Sequence, residues 1–315
     1  MRGASASTIY GDLDVEIELN APIGGRSWFA TGGTADTLVH PKSIDALQQI
    51  VRRCRHTATS LRVMGEGANL LVSESGVEGI VVRLDSPAFQ SAEFNADGRL
   101  DRMKVGAGAD MSKILMEATR RGLKGLSQMA GIPASIGGAI RMNAGGAYGS
   151  IGDAVDAVAC IDAHGEYKVY PAEELRFEYR ETNIIDPIVL WSVFRVEPSD
   201  PIALRQEVKE IFAYKKSTQP MGEKTAGCMF KNPVIDGERM SAGKIIDETG
   251  LKGLSHGSAE VSLLHANFIT IERGGKADDA IALSDELIKR VRDARSIDLV
   301  REIAGLRRPA NTCGR

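Results

Sequence analysis

The sequence predicts an α+β protein of more than one lobe, and three observations carry that expectation. The 315 residues exceed the roughly 100–200 residues of a usual single domain. Short apolar or alternating runs bounded by glycine are interspersed with amphipathic runs of helical period, which mixes strands with helices along the chain. The loop GEGAN at 65–69 follows a strand, yet it lacks the third glycine and the distant acidic residue of a dinucleotide fingerprint, so a plain doubly wound sheet is disfavoured.

Composition narrows the class. Net charge is −3, from Lys+Arg 39 against Asp+Glu 42, with no long basic run, which argues against a nucleic-acid partner. Cys54, Cys160, Cys228 and Cys313 are far apart and never form CxxC. Neither a zinc cage nor a disulfide framework is expected, no metal is needed for chemistry, and a reducing cytosol fits. The start, MRGASASTIYGDLD, has no apolar core for a signal peptide, and no run of about eighteen apolar residues occurs. The expectation is a soluble, cytoplasmic protein with no membrane partner.

In chain order, residues 1–20 read as a poorly ordered lead-in. FATGGTADTLVHP offers a turn at Gly32–Gly33 and an alternating strand ending at Pro41, and SIDALQQIVRRCR places Ile44, Leu47, Ile50, Val51 and Cys54 at helical spacing. LRVMGEGANLLVSESGVEGIVVRL then reads as strand, glycine turn, short apolar segment, a turn at Gly76 and a strand over 80–84. A strand and glycine turn in RLDRMKVGAGAD lead to a helix from about Met111 to Arg121, which Gly122 caps. VDAVACIDAHGEYKVYP is a hairpin turning at His164–Gly165, EYRETN sets Arg180 on a loop after a helical turn, and IVLWSVFRVEP is a strand.

Beyond Pro201, ALRQEVKEIFAYKKS is an amphipathic helix, and TAGCMFKNP is a turn and strand with Cys228 in its middle. SAGKIIDETGL is a helix begun by Ser241 and stopped by Gly250. AEVSLLHANFITIE carries His265 into a strand, ADDAIALSDELIKRVRDAR is a long helix, SIDLVREI is a last strand, and the tail from Arg307 is expected to be mobile.

The stretch from Ala130 to Gly149, AGIPASIGGAIRMNAGGAYG, holds six glycines and one charge in twenty residues. Glycine is tolerated where backbone bends sharply or approaches something closely. A ligand lying on main chain is one reason, and two backbones packed together is the other. GEGAN offers the same choice between a nest of amides for a pyrophosphate and a tight turn.

GEGANLLV, GIPASIGGAIRMNAGGAYG, the pair Tyr179–Arg180, TQP followed by AGCMFKNP, AGKIIDETGLKG and VSLLHANF stand in one order from Trp28 to Ile303. Together they resemble the UDP-N-acetylenolpyruvoylglucosamine reductases, flavoenzymes of bacterial cell-wall synthesis. The resemblance implies a two-lobed FAD-binding domain of the PCMH, vanillyl-alcohol-oxidase-like type over 21–198, with subdomains about 21–86 and 87–198. A smaller α+β substrate-binding domain follows over 199–306, then a tail over 307–315. FAD would be held non-covalently by Gly65, Glu66, Gly67, Ala68, Asn69 and Leu70 and by Gly131, Ile132, Pro133, Ser135, Gly137, Gly138 and Asn143. NADPH would give the hydride, and Tyr179, Asn232 and His265 would touch a UDP-sugar substrate. The short interval from Arg180 to Gln219 leaves no room for a long substrate-covering insertion, so the chain resembles the family's compact type, a monomer.

The resemblance also implies three catalytic residues. Arg180 corresponds to the family arginine, a planar cation suited to charge that grows on the enolpyruvyl group. Position 228 corresponds to the family's proton donor, usually serine and here Cys228. LVREIA places Glu302 at the family glutamate, although Ala304 replaces the arginine that follows it. Each has a plainer reading: an inert buried thiol, a surface cation, an edge-strand carboxylate. His265 reads as a packed strand histidine as readily as a substrate contact. Further departures are Ala68 for a serine, one extra glycine in NAGGAYG, and Thr182 for a serine after the YR pair. Two other classes compete: a flavin oxidase or dehydrogenase of related fold, and a non-catalytic protein that binds FAD or a sugar nucleotide. Such oxidases often tether FAD through a histidine near the first glycine loop. GEGAN has none, and the nearest upstream is His56.

Overall fold

The structure, a computed structural model, describes residues 9–306 and 308. The first eight positions of the lead-in, Cys313 and all but Arg308 of the tail lie outside the described residues. Residues 15–21 are not an unordered lead-in. They form an edge strand, Val15–Ala21, in which Ile17 and Leu19 are exposed and Ala21 is buried.

That strand borders a four-stranded sheet ordered Val15–Ala21, Ala35–Pro41, Val77–Val82, Leu61–Val63, whose last pair is parallel with Leu61 opposite Ile80. Helix α1, Ile44–His56, begins where the Ser43 hydroxyl accepts from the Ala46 amide, and it buries Leu47, Ile50, Val51 and Cys54 at the predicted period. A five-stranded sheet follows, ordered Tyr167–Pro171, Val155–Ile161, Ile188–Arg195, Arg102–Gly106, Ala92–Phe94. Its hairpin turns where expected, with Asp162 Oδ1 accepting from the amides of His164 at 2.7 Å and Glu166 at 2.9 Å. Helix α2, Met111–Arg120, is capped by the Asp110 carboxylate, and Gly122, at φ 69°, ends its last turn. Helix α3, Ile136–Arg141, packs on strand Ile188–Arg195. Helix α4 spans Pro201–Thr218.

Helix α5, Ala242–Glu248, starts at the predicted Ser241 cap, and Gly250 follows it at φ 73°. Helix α6, Ala277–Arg295, packs on the three-stranded sheet Ser255–His256, Ala259–Val261, Ile269–Ile271. Two sequence expectations are corrected here. His265 lies in the turn between Ala259–Val261 and Ile269–Ile271, because the apolar run is interrupted by its own hydrogen-bonded corner, with Phe268 N on the His265 carbonyl at 2.9 Å. The last strand is Ala304–Leu306, just beyond SIDLVREI, where it pairs parallel with Leu70–Val72.

The chain divides into two compact units: residues 1–19, 37–66 and 79–214, and residues 20–36, 67–78 and 215–315. Each has its own core. Met103, Met111, Leu126 and Phe194 are fully buried in the first, and Phe29, Ala242, Val261 and Leu287 in the second. No helix among the described residues is long and apolar enough to cross a membrane.

Candidate active site

In the first unit, a cavity of about 190 Å³ is lined by Gly65, Glu66, Ser135, Gly137 and Gly138 among the sequence-predicted residues. Cofactor pockets measure roughly 300–1,000 Å³, so this one accommodates part of such a ligand. The cavity exists because the first turn of α3 is pinned to the segment after strand Arg102–Gly106. The amides of Ile136 and Gly137 donate to the carbonyls of Ala109 at 3.0 Å and Ala107 at 2.8 Å. The Ser135 hydroxyl caps α3 by accepting from Gly138 N at 3.2 Å.

A Cβ on Gly65 would lie 2.3 Å from Ser135 Oγ, and one on Gly108 would lie 1.6 Å from the Leu84 carbonyl oxygen. Main chain packs closely at Gly108, whereas at Gly65 the neighbour is the Ser135 side chain. The extra glycine of NAGGAYG is absorbed in a small hairpin, Gly145–Gly146 against Gly149–Ser150. There Gly145 faces the Gly149 carbonyl at 2.4 Å from any added Cβ, whereas Gly146 faces open space.

Two cations that motif reading missed also line the cavity, Arg83 and Arg141. Arg83 is held by Glu66 Oε1 at 3.6 Å and Asp85 Oδ2 at 3.4 Å, and His40 Nδ1 sits 2.8 Å from Asp85 Oδ1. Arg141 donates to the carbonyls of Ile184 at 2.5 Å and of Asp186, and burial pushes its pKa below the usual guanidinium range. Arg141 was visible as the only charge in the glycine-rich stretch. The guanidinium groups of Arg83 and Arg141 and the Ser135 hydroxyl, beside apolar Val63, Leu84 and Val189, form a donor set that fits a dinucleotide's diphosphate and flat apolar ring. Gly131, Ile132, Pro133 and Asn143 are not part of that wall. Asn143 instead donates from Nδ2 to the Glu178 carbonyl at 2.7 Å and accepts from Gly152 N at 3.1 Å.

Tyr179 and Arg180 form the two-residue turn of a hairpin in which Phe177 pairs with Thr182 and Glu178 with Glu181. The expected loop is thus a tight turn. Arg180 has φ 58°, rare for a side-chain-bearing residue, and its guanidinium carbon lies 5.3 Å from the Tyr179 ring centre.

In the second unit the strand expected in TAGCMFKNP is reduced to isolated bridges, which set Cys228 on a segment beside that of Glu302. Cys228 bridges antiparallel to Phe268, and Phe230 to Arg301. Met229 N donates to the Asn267 carbonyl at 2.7 Å, while Glu302 N donates to the Met229 carbonyl at 2.8 Å. Glu302 Oε2 is shut off from solvent, and Asn69 Nδ2 donates to the Glu302 carbonyl at 3.2 Å. Gly67, at φ 68°, accepts at its carbonyl from Trp28 N at 3.1 Å. Ala68 and Leu70 flank Asn69, and the Asn69 carbonyl accepts from Ala304 N at 3.2 Å. Asn232 Oδ1 accepts from Ala242 N at 2.9 Å, anchoring the start of α5. Asn267, also missed, closes on both the amide and carbonyl of Phe230 at 3.0 and 2.8 Å, and it holds the segment that carries Cys228. His265 Nδ1 accepts from Asn267 N at 3.2 Å, its ring is edge-on to Phe268 at 4.8 Å, and burial pushes its pKa down.

Residues 35–169 match the family model of an FAD binding domain. Residues 219–306 match that of the UDP-N-acetylenolpyruvoylglucosamine reductase C-terminal domain. The UDP-N-acetylenolpyruvoylglucosamine reductase of Syntrophus aciditrophicus is 35% identical over 283 residues, which cover 90% of this chain and 89% of that one. The enzyme of the same name from Heliobacterium modesticaldum is 36% identical over 286 residues, covering 90% and 88%. The crystal structure of the reductase from Thermus caldophilus superposes with a TM-score of 0.76 at 35% identity, covering 93% of this chain and 98% of that one. The chain belongs to the UDP-N-acetylenolpyruvoylglucosamine reductase family.

Proposed function

We propose that this protein is the FAD-dependent, NADPH-consuming oxidoreductase that converts the enolpyruvyl ether of UDP-N-acetylglucosamine to the lactyl ether in peptidoglycan precursor synthesis. The observation that carries this reading is that Cys228 and Glu302 lie on adjoining, hydrogen-bonded segments, in a chain related to these reductases over nine-tenths of its length. Bound FAD, held non-covalently, would relay the hydride of NADPH to the methylene carbon of the enolpyruvyl group. The residues of the first cavity, with Arg83 and Arg141 beside the Ser135 hydroxyl, would hold its diphosphate.

As the carbon–carbon double bond opens, negative charge grows on the second carbon and its carboxylate. Arg180 holds that charge, and Glu302 acts at the same end of the substrate. The Cys228 S–H bond breaks as its proton passes to the second carbon, and the thiolate left behind is reprotonated from solvent before the next turnover. Tyr179, Asn232 and His265 form the substrate's surroundings. In this reading the FAD-binding domain covers 21–198 and the substrate-binding domain 199–306. The protein works as a cytoplasmic monomer without metal, nucleic acid or membrane, and it serves wall growth and through it cell shape and division.

The test is NADPH oxidation by the purified protein with and without the enolpyruvyl UDP-sugar. Oxidation that requires the sugar, with the lactyl ether as product, is the expected result. Steady NADPH oxidation that consumes oxygen and ignores the sugar would mark an oxidase, and no oxidation at all a binding protein.

A further inference from the structure

We propose that Asn143 is the positioning residue for Arg180: its side-chain amide clamps the base of the hairpin that presents the guanidinium. This rests on the reading of Arg180 as the partner of the growing substrate charge.

The hairpin is short. Its ladder is the pairs Phe177–Thr182 and Glu178–Glu181, extended at the base by Asn183 N on the Arg176 carbonyl at 3.2 Å and Arg176 N on Asn183 Oδ1 at 2.9 Å, and a lone hairpin of about that length is marginal in water. Its turn also includes Arg180 at φ 58°, a conformation that a residue with a side chain adopts only when its surroundings enforce it. Contacts from outside the hairpin add to that enforcement. Asn143 is 5% exposed and has both ends of its amide committed, Nδ2 to the carbonyl of Glu178, the residue before the turn, and Oδ1 to Gly152 N. Gly152 supplies the second surface, since a Cβ there would lie 2.4 Å from the Phe177 ring and 2.9 Å from Asn143 Oδ1. The ring of Phe177 thus rests on Gly152 while Asn143 ties the same two segments by hydrogen bonds. Asn143 itself has φ 39°, in the left-handed region where asparagine is among the best tolerated residues.

The clamp follows directly on α3. Gly137, Gly138 and Arg141 of that helix line the cavity, and Arg141 also grips the chain just past the hairpin at Ile184 and Asp186. One short segment, 137–143, therefore sets both the cavity wall and the hairpin that bears Arg180. Loss of the clamp should let the guanidinium drift without disturbing the wall, and a misplacement of about 1 Å can cost about 100-fold in rate.

The experiment compares Asn143→Ala, Arg180→Ala and the double variant, each loaded with FAD, by kcat, by KM for the UDP-sugar and by flavin fluorescence titration. Asn143→Asp is the second variant, of equal size, which keeps the acceptor for Gly152 and loses the donor to Glu178. Expected is a fall in kcat of about tenfold to 100-fold in both Asn143 variants, with FAD affinity unchanged. In the Arg180→Ala background the Asn143 change should cost nothing more, since the two residues act as one. A near-normal kcat in Asn143→Asp, an equal loss with and without Arg180, or a kcat loss that follows lost FAD would overturn the proposal. Near-normal turnover of Arg180→Ala alone would instead overturn the reading of Arg180 on which it rests.

Discussion

The backbone amide of Glu302 donates to the carbonyl of Met229 at 2.8 Å, so the carboxylate-bearing residue is held beside the one that follows Cys228. Cys228 and Glu302 lie on segments tied by main-chain hydrogen bonds, so moving either residue away from the other breaks such bonds.

If Cys228 gives the proton, the reaction carries an alkaline limb. A free thiol titrates near about 8.5, whereas a serine hydroxyl stays protonated across the accessible range. Substrate-dependent turnover should fall at high pH in the native protein. Cys228→Ser should keep part of the activity and lose that limb, and Cys228→Ala should retain FAD but hardly turn over. The pH profiles of kcat for the three proteins decide; the same limb in Cys228→Ser would exclude this cysteine as the acid.

Thiol alkylation should separate the cysteines. Burial pushes the Cys54 thiol up to about 11 and the Cys160 thiol up to about 12, and both are inside the first unit's core, whereas Cys228 is only half-buried. The thiolate is the reactive form. Peptide mapping of iodoacetamide-treated native protein should show carboxamidomethyl groups on Cys228 and none on Cys54 or Cys160 until denaturant is added. Prompt labelling of Cys160 in the native state would contradict the packing described.

Gly65→Val should abolish FAD binding while the chain stays folded. The new Cβ would lie 2.3 Å from Ser135 Oγ, forcing the cap of α3 away from the cavity. Purified variant protein should be colourless, with a melting temperature near that of FAD-stripped native protein. Full flavin absorbance would show that this wall is not where the cofactor rests.

His265 makes stability depend on pH in a known direction. Burial lowers its folded pKa, so between the folded value and the unfolded value of about 6.5 the unfolded chain binds the extra proton. This contribution is fully present above about pH 6.5 and is lost as pH falls through the folded pKa. Urea unfolding of His265→Gln at pH 7.5, 6.5 and 5.5, chosen to bracket that roughly 6.5 reference, should give a flatter stability profile than the native protein. Parallel profiles would remove His265 as the linked group.

Much of this architecture was legible because it is local. The helices α1, α2, α5 and α6 announce themselves by apolar period and, for α5, by the Ser241 cap, and the hairpin at His164–Gly165 by its turn, whereas Ser43, the cap of α1, was not singled out. The errors fall where partners are remote. Strand Ala304–Leu306 exists because Leu70–Val72 is there to pair with it, and no neighbouring residue encodes that. His265 sits in an apolar run that reads as a strand but turns at its own carbonyl. Motifs singled out Cys228, Arg180 and Glu302. Arg83 carries no sign in the sequence of the cavity it lines, and Asn267 stands inside VSLLHANF with no local sign that its amide closes on Phe230.

The second unit is assembled from residues 20–36, 67–78 and 215–315, and this sets a timetable for its birth. Asn69 leaves the ribosome 233 residues ahead of Glu302, whose carbonyl it will bond. At roughly 5–20 residues per second that is a wait on the order of ten to fifty seconds. During that interval Phe29 and Leu71, both destined for the second core, have no core to enter. Ribosome-stalled chains of increasing length should therefore become protease-resistant around Leu71 only after Leu306 has cleared the exit tunnel; resistance in chains stalled near residue 214 would show that the early pieces find shelter elsewhere.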